Sequence, residues 1–217
     1  MGSGVVPGAQ DDSHVHTTYV VNDFVYVVDL GADAIYHYTV QDGTLIKDDT
    51  LTTACTPGTG PRHMAFDTVN NIAYVNDELA MSVEVFEMDP TSGALTHVAL
   101  VPYDLGVEEP GVEQKGAEMA LHPTGRFLYV SHRGTGAIIV YQAESASAGY
   151  LEQVQTVLTD GTTPRNFVVT DDGAYLVAAL RYENKLALYS ISQTDGTLTL
   201  VDSAIEEGML PAIIAFS

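Results

Sequence analysis

Positive charge is scarce in this chain. Its 217 residues hold 8 Lys and Arg against 29 Asp and Glu, a net charge of −21 with neutral histidines. A surface of that sign repels phosphate backbones and argues against nucleic acid as a partner. Cysteine is scarcer still. Cys55 stands alone, which rules out an internal disulfide framework and any Cys-based zinc cluster. No apolar run approaches the roughly 20 residues that a membrane helix needs, so no membrane partner is expected. The opening Met1-Gly2-Ser3-Gly4-Val5-Val6-Pro7 has neither the basic nor the apolar stretch of a secretory signal. With a lone thiol that suits a reducing compartment, the expected location is cytoplasmic. Helical periodicity is missing too: the nearest candidate, Glu108 to Gln114, contains Pro110 and Gly111 and reads as loop.

What is present is β pattern. Hydrophobic residues make up 46% of the chain and the mean hydropathy is +0.09, enough to bury a real core. Val- and Tyr-rich runs recur, among them Phe24-Val25-Tyr26-Val27-Val28, Ser82-Val83-Glu84-Val85-Phe86, Ala137-Ile138-Ile139-Val140-Tyr141 and Lys185-Leu186-Ala187-Leu188-Tyr189. Turn clusters such as Gln41-Asp42-Gly43 and Thr194-Asp195-Gly196 separate them. The runs fall into four overlaid units beginning near His14, Pro61, Gly116 and Pro164. Each opens with a short strand, predicted over 16–20, 63–66, 118–121 and 166–169. A second strand ends in a polar loop, a third runs to a Gly-containing turn, and a fourth begins at Leu45, Leu95, Leu151 or Leu198. A four-stranded antiparallel phrase repeated every 45 to 55 residues predicts an all-β fold, a β-propeller of about four blades plus one strand. The extra strand is Ala212 to Phe216, which reads as the opening of a fifth blade; left as an edge, it would favour self-association. Residues 1–217 are thus expected to form a single propeller domain, either an incomplete ring or a piece of a longer one.

Blade geometry sorts the polar residues. In an up-and-down blade with strands A to D, the starts of the A strands and the ends of the B strands share one rim. That rim receives His14, His16, Asp29, Arg62, His63, Glu78, Glu118, Arg133, Arg165, Asn166 and Arg181. Four of the five arginines fall there, and only Arg126 lies in a turn on the opposite face. Guanidinium groups hold carboxylates and phosphates through paired hydrogen bonds. A concave site of Arg, His and Glu suits a small anionic substrate with acid–base chemistry on it.

The same residues carry a resemblance. Ser13-His14-Val15-His16, Gly60-Pro61-Arg62-His63-Met64-Ala65-Phe66, Asp77-Glu78-Leu79, Gly116-Ala117-Glu118, the run from Gly125 to Gly134 and Thr163-Pro164-Arg165-Asn166-Phe167 together resemble the lactonase family of seven-bladed propellers. That family includes the bacterial-type 6-phosphogluconolactonases and the fungal carboxy-cis,cis-muconate cyclase. The resemblance runs the length of this chain and corresponds to about the C-terminal two-thirds of a family member. It implies a seven-bladed ring and hydrolysis of a phosphorylated sugar lactone without a cofactor. The alternatives are a muconate-type lactone cyclase or a non-enzymatic binding scaffold. The cyclase's set of one His, two Arg and one Glu matches His14, Arg62, Glu78 and Arg133, the expected catalytic residues. Arg62 and Arg133 would grip the anionic group and polarise the carbonyl, and Glu78 or His14 would activate water. The neighbouring His16, His63, Glu118 and Arg165 are assigned to substrate binding. Against the family pattern, Asp77 stands for Asn, Lys115 for Trp and Ala120 for His, and one B strand ends in Leu180-Arg181.

Plainer readings stand beside these. His14 and His16 lie two apart, a spacing that points both side chains one way in a strand, and His63 could join them on a metal. No carboxylate or Cys completes a familiar ligand spacing, so no metal is expected. Glu118 could pair structurally with Arg62 or Arg165, and Arg165 and Arg181 could brace the rim. Cys55, with no base near it in sequence, is expected to be inert. Tyr26, Tyr74, Tyr129 and Tyr175 recur at one blade position and are expected in the core.

Overall fold

Runs of β-branched and aromatic residues, punctuated by Asp-Gly and Ser-Gly turns, leave the chain no alternative to short antiparallel strands. A computed structural model describes residues 1–106, 113–143 and 151–205. It contains β1 (Val15–Val21), β2 (Phe24–Asp29), β3 (Ala34–Gln41), β4 (Thr44–Ala54), β5 (Pro61–Asp67), β6 (Ile72–Asp77), β7 (Ser82–Met88) and β8 (Leu95–Pro102). These are followed by β9 (Lys115–Leu121), β10 (Phe127–Arg133), β11 (Ala137–Gln142), β12 (Glu152–Leu158), β13 (Pro164–Val169), β14 (Tyr175–Leu180), β15 (Lys185–Ile191) and β16 (Leu198–Ile205). They form four four-stranded antiparallel sheets, each in chain order. The four opening strands anticipated from sequence are β1, β5, β9 and β13. No helix occurs among the described residues, and none is long and apolar enough to cross a membrane. The strand expected over Ala212 to Phe216, and most of the loop Glu108 to Gln114, lie outside the described residues.

The chain divides into two compact units, Met1–Pro102 and Tyr103–Ser217, of two sheets each. In the first, Tyr26, Val28, Ile35, Met64, Val75 and Phe86 belong to one buried cluster. In the second, Phe127, Tyr129, Ile138, Phe167, Leu176 and Tyr189 do the same. Each such side chain taken fully out of water stabilises by about 1.5–3 kcal/mol. The middle strands β6 and β10 are buried almost throughout, while the last strands β4 and β16 are largely exposed.

The units repeat one tie between their sheets. Tyr26 Oη donates to the carbonyl of Gly93 at 2.8 Å, and Tyr129 Oη donates to that of Gly196 at 3.0 Å. Both glycines sit at φ of about +75° in the turn before a last strand. There a side chain would be strained, and a Cβ at Gly93 would come within 2.7 Å of Phe24. Burial pushes the Tyr26 hydroxyl up to about 12, so it stays a donor. Tyr74 is buried at the same strand position. Tyr175 departs from expectation. It opens β14 rather than standing third in it, and is 42% exposed; the core of this strand is filled by Leu176 and Ala178 instead.

Candidate active site

Every opening strand carries an irregularity near its start. In β1, Val15 pairs with Asp29 and Thr17 with Val28, leaving His16 as an extra residue. Arg62 is the extra residue of β5, and Arg165 that of β13. In β9, Gly116 pairs with His132 and Met119 with Val130, so Ala117 and Glu118 face the single Ser131. Such bulges break strict alternation and re-aim the side chains they carry. Four residues expected at the rim are therefore placed by bulges. The same geometry removes the premise of a His14–His16 metal pair, because His14 precedes β1 and His16 is bulged. Among the described residues no group of three or more His, Cys, Asp or Glu is placed to hold a metal ion.

In the first unit the structure brings Arg62 and Glu78 together. Arg62 Nε donates to Glu78 Oε2 at 2.8 Å, with side chains only 4% and 13% exposed. The Arg62 carbonyl accepts from Thr17 Oγ1 at 2.6 Å, which ties the bulge to the neighbouring sheet. The His16 and His63 rings lie 5.0 Å apart at 58°. Tyr19 Oη lies 3.3 Å from His63 Nδ1 and accepts the Met64 N–H at 3.0 Å. His14 is exposed, and its N–H donates to Asp29 Oδ1 at 2.7 Å.

Beneath this edge lie buried acids that the rim assignment did not separate. Asp29 is fully buried and accepts from Ser13 Oγ, the His14 N–H and the Ala32 N–H. Burial alone would raise its carboxyl, but these donors outweigh it and hold it below the usual range. It is an anchor for the loop around it. Asp77 sits at the same register position and behaves in the opposite way. Burial, then the Glu84 charge, push it well above the usual range, although Ser82 Oγ donates to its Oδ2 at 2.6 Å. Glu84 is raised by burial as well, against the Thr56 N–H it accepts at 2.7 Å. Cys55 is buried beside these acids, and burial followed by their charge pushes its thiol well up, which favours the thiol over the thiolate.

The second unit assembles the positive charge. Lys115, Arg133, Arg165 and Arg181 line one cavity of about 290 Å³, together with Glu113. Half of the chain's 8 basic residues thus share one small space in a molecule of net charge −21. Arg133 Nη2 donates to the Gly116 carbonyl at 2.9 Å, and Lys115 Nζ lies 2.7 Å from Glu113 Oε1. The Arg181 guanidinium stacks 5.2 Å over the Tyr182 ring. Behind Arg133, burial and then the Arg133 charge hold His132 down at about 4, so its ring is neutral. Glu118 is 7% exposed; its carboxylate takes the Met119 N–H at 3.0 Å and the Asn166 amide. Arg126 stands apart, in the turn before β10, donating to the Gln193 and Thr194 carbonyls.

Of the residues singled out from sequence, Arg62 and Glu78 pair in the first unit, and Arg133 and Arg165 share the cavity of the second. Lys115 was not recognised as a site residue, and Arg181 was read only as a brace. The signal for both was their neighbours: Lys115 is the register partner of Arg133, and Arg181 follows the B strand that pairs with the Arg165 bulge.

The chain has relatives among known proteins. A family model described as lactonase, 7-bladed beta-propeller, matches residues 1–214. The chain is 34% identical over 203 residues to a 6-phosphogluconolactonase of Bacillus subtilis, covering 90% of this chain and 55% of that protein. It is 29% identical to a 6-phosphogluconolactonase of Formosa agariphila, covering 91% and 56%. Among solved structures, a Lactobacillus plantarum protein superposes with a TM-score of 0.86 at 28% identity, covering 94% of this chain and 58% of that one. The periplasmic gluconolactonase of Pseudomonas aeruginosa superposes at 0.83 with 27% identity, covering 96% and 58%. The chain therefore spans somewhat over half the length of these relatives, less than the two-thirds read from sequence, and the four sheets among its described residues stand against the seven blades of the family description.

Proposed function

The chain belongs to the seven-bladed β-propeller lactonase family, and from that membership we propose that it hydrolyses the lactone of a phosphorylated sugar acid. The observation that carries the reading is the cavity lined by Lys115, Arg133, Arg165 and Arg181. Concentrating cations costs electrostatic energy, and an anionic substrate is what offsets it. Both curated relatives described above bear the name 6-phosphogluconolactonase, which gives the substrate class.

In the reaction, water adds to the lactone carbonyl carbon, the ring C–O bond breaks, and the ring oxygen takes a proton to leave a hydroxy acid. Charge develops on the carbonyl oxygen as the new C–O bond forms. Arg62 is assigned to that oxyanion, and its bond to Glu78 fixes the guanidinium beforehand, so that little reorganisation is needed. Glu78 or His14 accepts the proton from water. Arg133 and Arg165 are assigned to the substrate's anionic group, and His16, His63 and Glu118 to its hydroxyls. No cofactor is required for this chemistry. The cytoplasm is the compartment proposed, on the grounds of the single buried thiol.

The test is hydrolysis of 6-phosphogluconolactone by the chain, followed as acid release, in the parent and in Arg62→Ala, Glu78→Gln and His14→Asn. The proton acceptor is the residue whose loss removes the acidic limb of the pH–rate profile. Absence of turnover with any sugar lactone would leave a binding scaffold as the better reading.

A further inference from the structure

We infer that Asp33 and Glu84 are positioning residues, two buried acids that clamp residues 55–60 and through them set Arg62 against Glu78. The inference rests on the lactonase reading only for what the pair then does in turnover.

The clamp lies in the hydrogen bonds of the segment between β4 and β5. Its Thr56 N–H donates to Glu84 Oε1 at 2.7 Å, its Gly58 N–H to Asp33 Oδ2 at 2.8 Å and its Gly60 N–H to Asp33 Oδ1 at 2.9 Å. The Cys55 N–H donates to the Asp33 carbonyl at 2.9 Å, and Gln10 Nε2 donates to Asp33 Oδ1 at 2.6 Å. The segment passes this order on. Its Thr59 and Gly60 carbonyls accept from the Leu79 and Glu78 N–H groups at 3.0 and 2.8 Å. Arg62 follows as the bulge of β5, its carbonyl held by Thr17 Oγ1. Both partners of the Arg62–Glu78 pair therefore hang on backbone that the two acids hold. Bonds from N–H groups to a carboxylate are charge-assisted and among the stronger ones a protein makes.

The fold itself does not call for these acids. In the second unit Gly136 stands immediately before β11, as Asp33 stands before β3, and its carbonyl takes the Thr159 N–H as that of Asp33 takes Cys55. Asp77 faces Pro61 and Leu180 faces Pro164, which aligns Glu84 with Ala187. The segment leading to β13 is tied instead by Glu183, from the turn after β14, whose Oε1 takes the Thr162 N–H at 2.8 Å. The acids are also costly. Asp33 sits at φ +49°, in the left-handed region that suits glycine and where Gly136 stands at +69°. Both Asp33 and Glu84 are buried, with Asp77 a third acid in the same seam around Cys55. Burying such groups is unfavourable unless hydrogen bonds offset it. A strained backbone and buried acids that the parallel site avoids are kept here, and the N–H groups they take, on Thr56, Gly58 and Gly60, lie on the segment that leads into the Arg62–Glu78 pair.

The experiment is hydrogen exchange of the Arg62 Nε–H in the full chain, read by NMR and assigned through its absence in Arg62→Lys. Bonded to Glu78 and nearly out of water, it should exchange slowly in the parent. Asp33→Gly suits the backbone and deletes the clamp; exchange should be about tenfold faster, the scale of one lost charge-assisted bond. Glu84→Ala should act likewise, and Glu84→Gln, whose amide oxygen can still take the Thr56 N–H, should restore the parent rate. Cys55→Ala loosens the same seam without touching a clamp bond and should leave exchange near the parent rate. Thermal melts establish that the variants fold; if Asp33→Gly does not, the two Glu84 variants decide. Parent-like exchange in Asp33→Gly and Glu84→Ala, or equal acceleration by Cys55→Ala, would overturn the clamp. On a phosphorylated lactone Asp33→Gly should lower kcat about tenfold with KM unchanged, and a change in KM alone would overturn the positioning role. Faster exchange in the variants of a chain that hydrolyses no lactone would uphold the clamp and overturn the lactonase reading. Hydrolysis with parent-like exchange in the variants would do the reverse.

Discussion

The two units use one strand pattern to opposite electrostatic ends. In the first, the second strands of the sheets run out into Asp29-Leu30 and Asp77-Glu78; in the second, they run out into His132-Arg133 and Leu180-Arg181. The backbone is the same at these places. Leu30, Glu78 and Arg181 each donate their N–H to the carbonyl just before the opening strand, at 3.0, 2.8 and 2.9 Å. What differs is the sign of the side chain placed there. Arg62 and Glu78 form a closed pair almost out of water, whereas Arg165 and Arg181 line one cavity. A repeated fold can therefore keep one scaffold and give its strand ends opposite charge, because bulge geometry depends on the backbone and charge only on the residue placed there.

The sharpest way to break this comparison is to open the closed pair. Arg62→Ala strands Glu78 in a nearly buried place, and unfolding in urea is expected to show a loss of about 3–5 kcal/mol. Under conditions where the variant remains folded, turnover on a phosphorylated lactone should fall by about 10²–10³. A small change in both would mean that the pair is neither structural nor catalytic.

The buried acids give a second contrast. Asp29→Asn replaces one acceptor oxygen by an NH2 group, turning a donor towards donors, and should cost about 1.5–3 kcal/mol at neutral pH. The depressed Asp29 carboxyl stabilises the fold above the unfolded value near 4, and this contribution is lost as pH falls through the lower folded value. Asp77 has the reverse sign. Its raised carboxyl keeps a proton that the unfolded chain has already released, so its contribution falls as pH climbs from about 4 towards the folded value. Asp77→Asn should therefore stabilise the chain at pH 7 by about 1 kcal/mol and flatten its stability between pH 5 and about 7. Urea titrations across that pH range decide it; an unchanged slope would show that Asp77 is ionised in the fold.

Converting one arrangement into the other is a gentler test. Arg181→Glu places an acid opposite the bulged Arg165, as Glu78 stands opposite Arg62. Stability in urea should rise by up to about 1 kcal/mol, since the new pair is partly exposed. Smallest of all is Arg126→Ala. Its guanidinium meets two carbonyls and the Phe127 ring in a turn away from the cavity. Turnover should hold, and stability should change by no more than about 0.5 kcal/mol.

Much of this was legible before any coordinates. The blade phrase, the opening strands at β1, β5, β9 and β13, and the clustering of arginine at one end of the strands follow from alternation and turn residues, which are local properties of the chain. Tyr175 shows where local reading slips. A tyrosine near the right place in the repeat is not at the right strand position, and one or two residues decide between core and solvent.

The sequence by itself determined the sheets, their order and the kind of residue at each strand end, because hydrophobic alternation and tight turns act over a few residues. Only the tertiary structure decided which of those residues meet. A bulge shifts the parity of a strand without leaving a mark in its hydrophobic pattern, so neither the inward turn of Arg62 nor that of Arg165 could be counted out along the chain. Arg62 finds Glu78 16 residues away, and the cavity gathers Lys115, Arg133, Arg165 and Arg181 from two sheets. Charge recognises charge through space, whereas sequence patterns record only neighbours along the backbone.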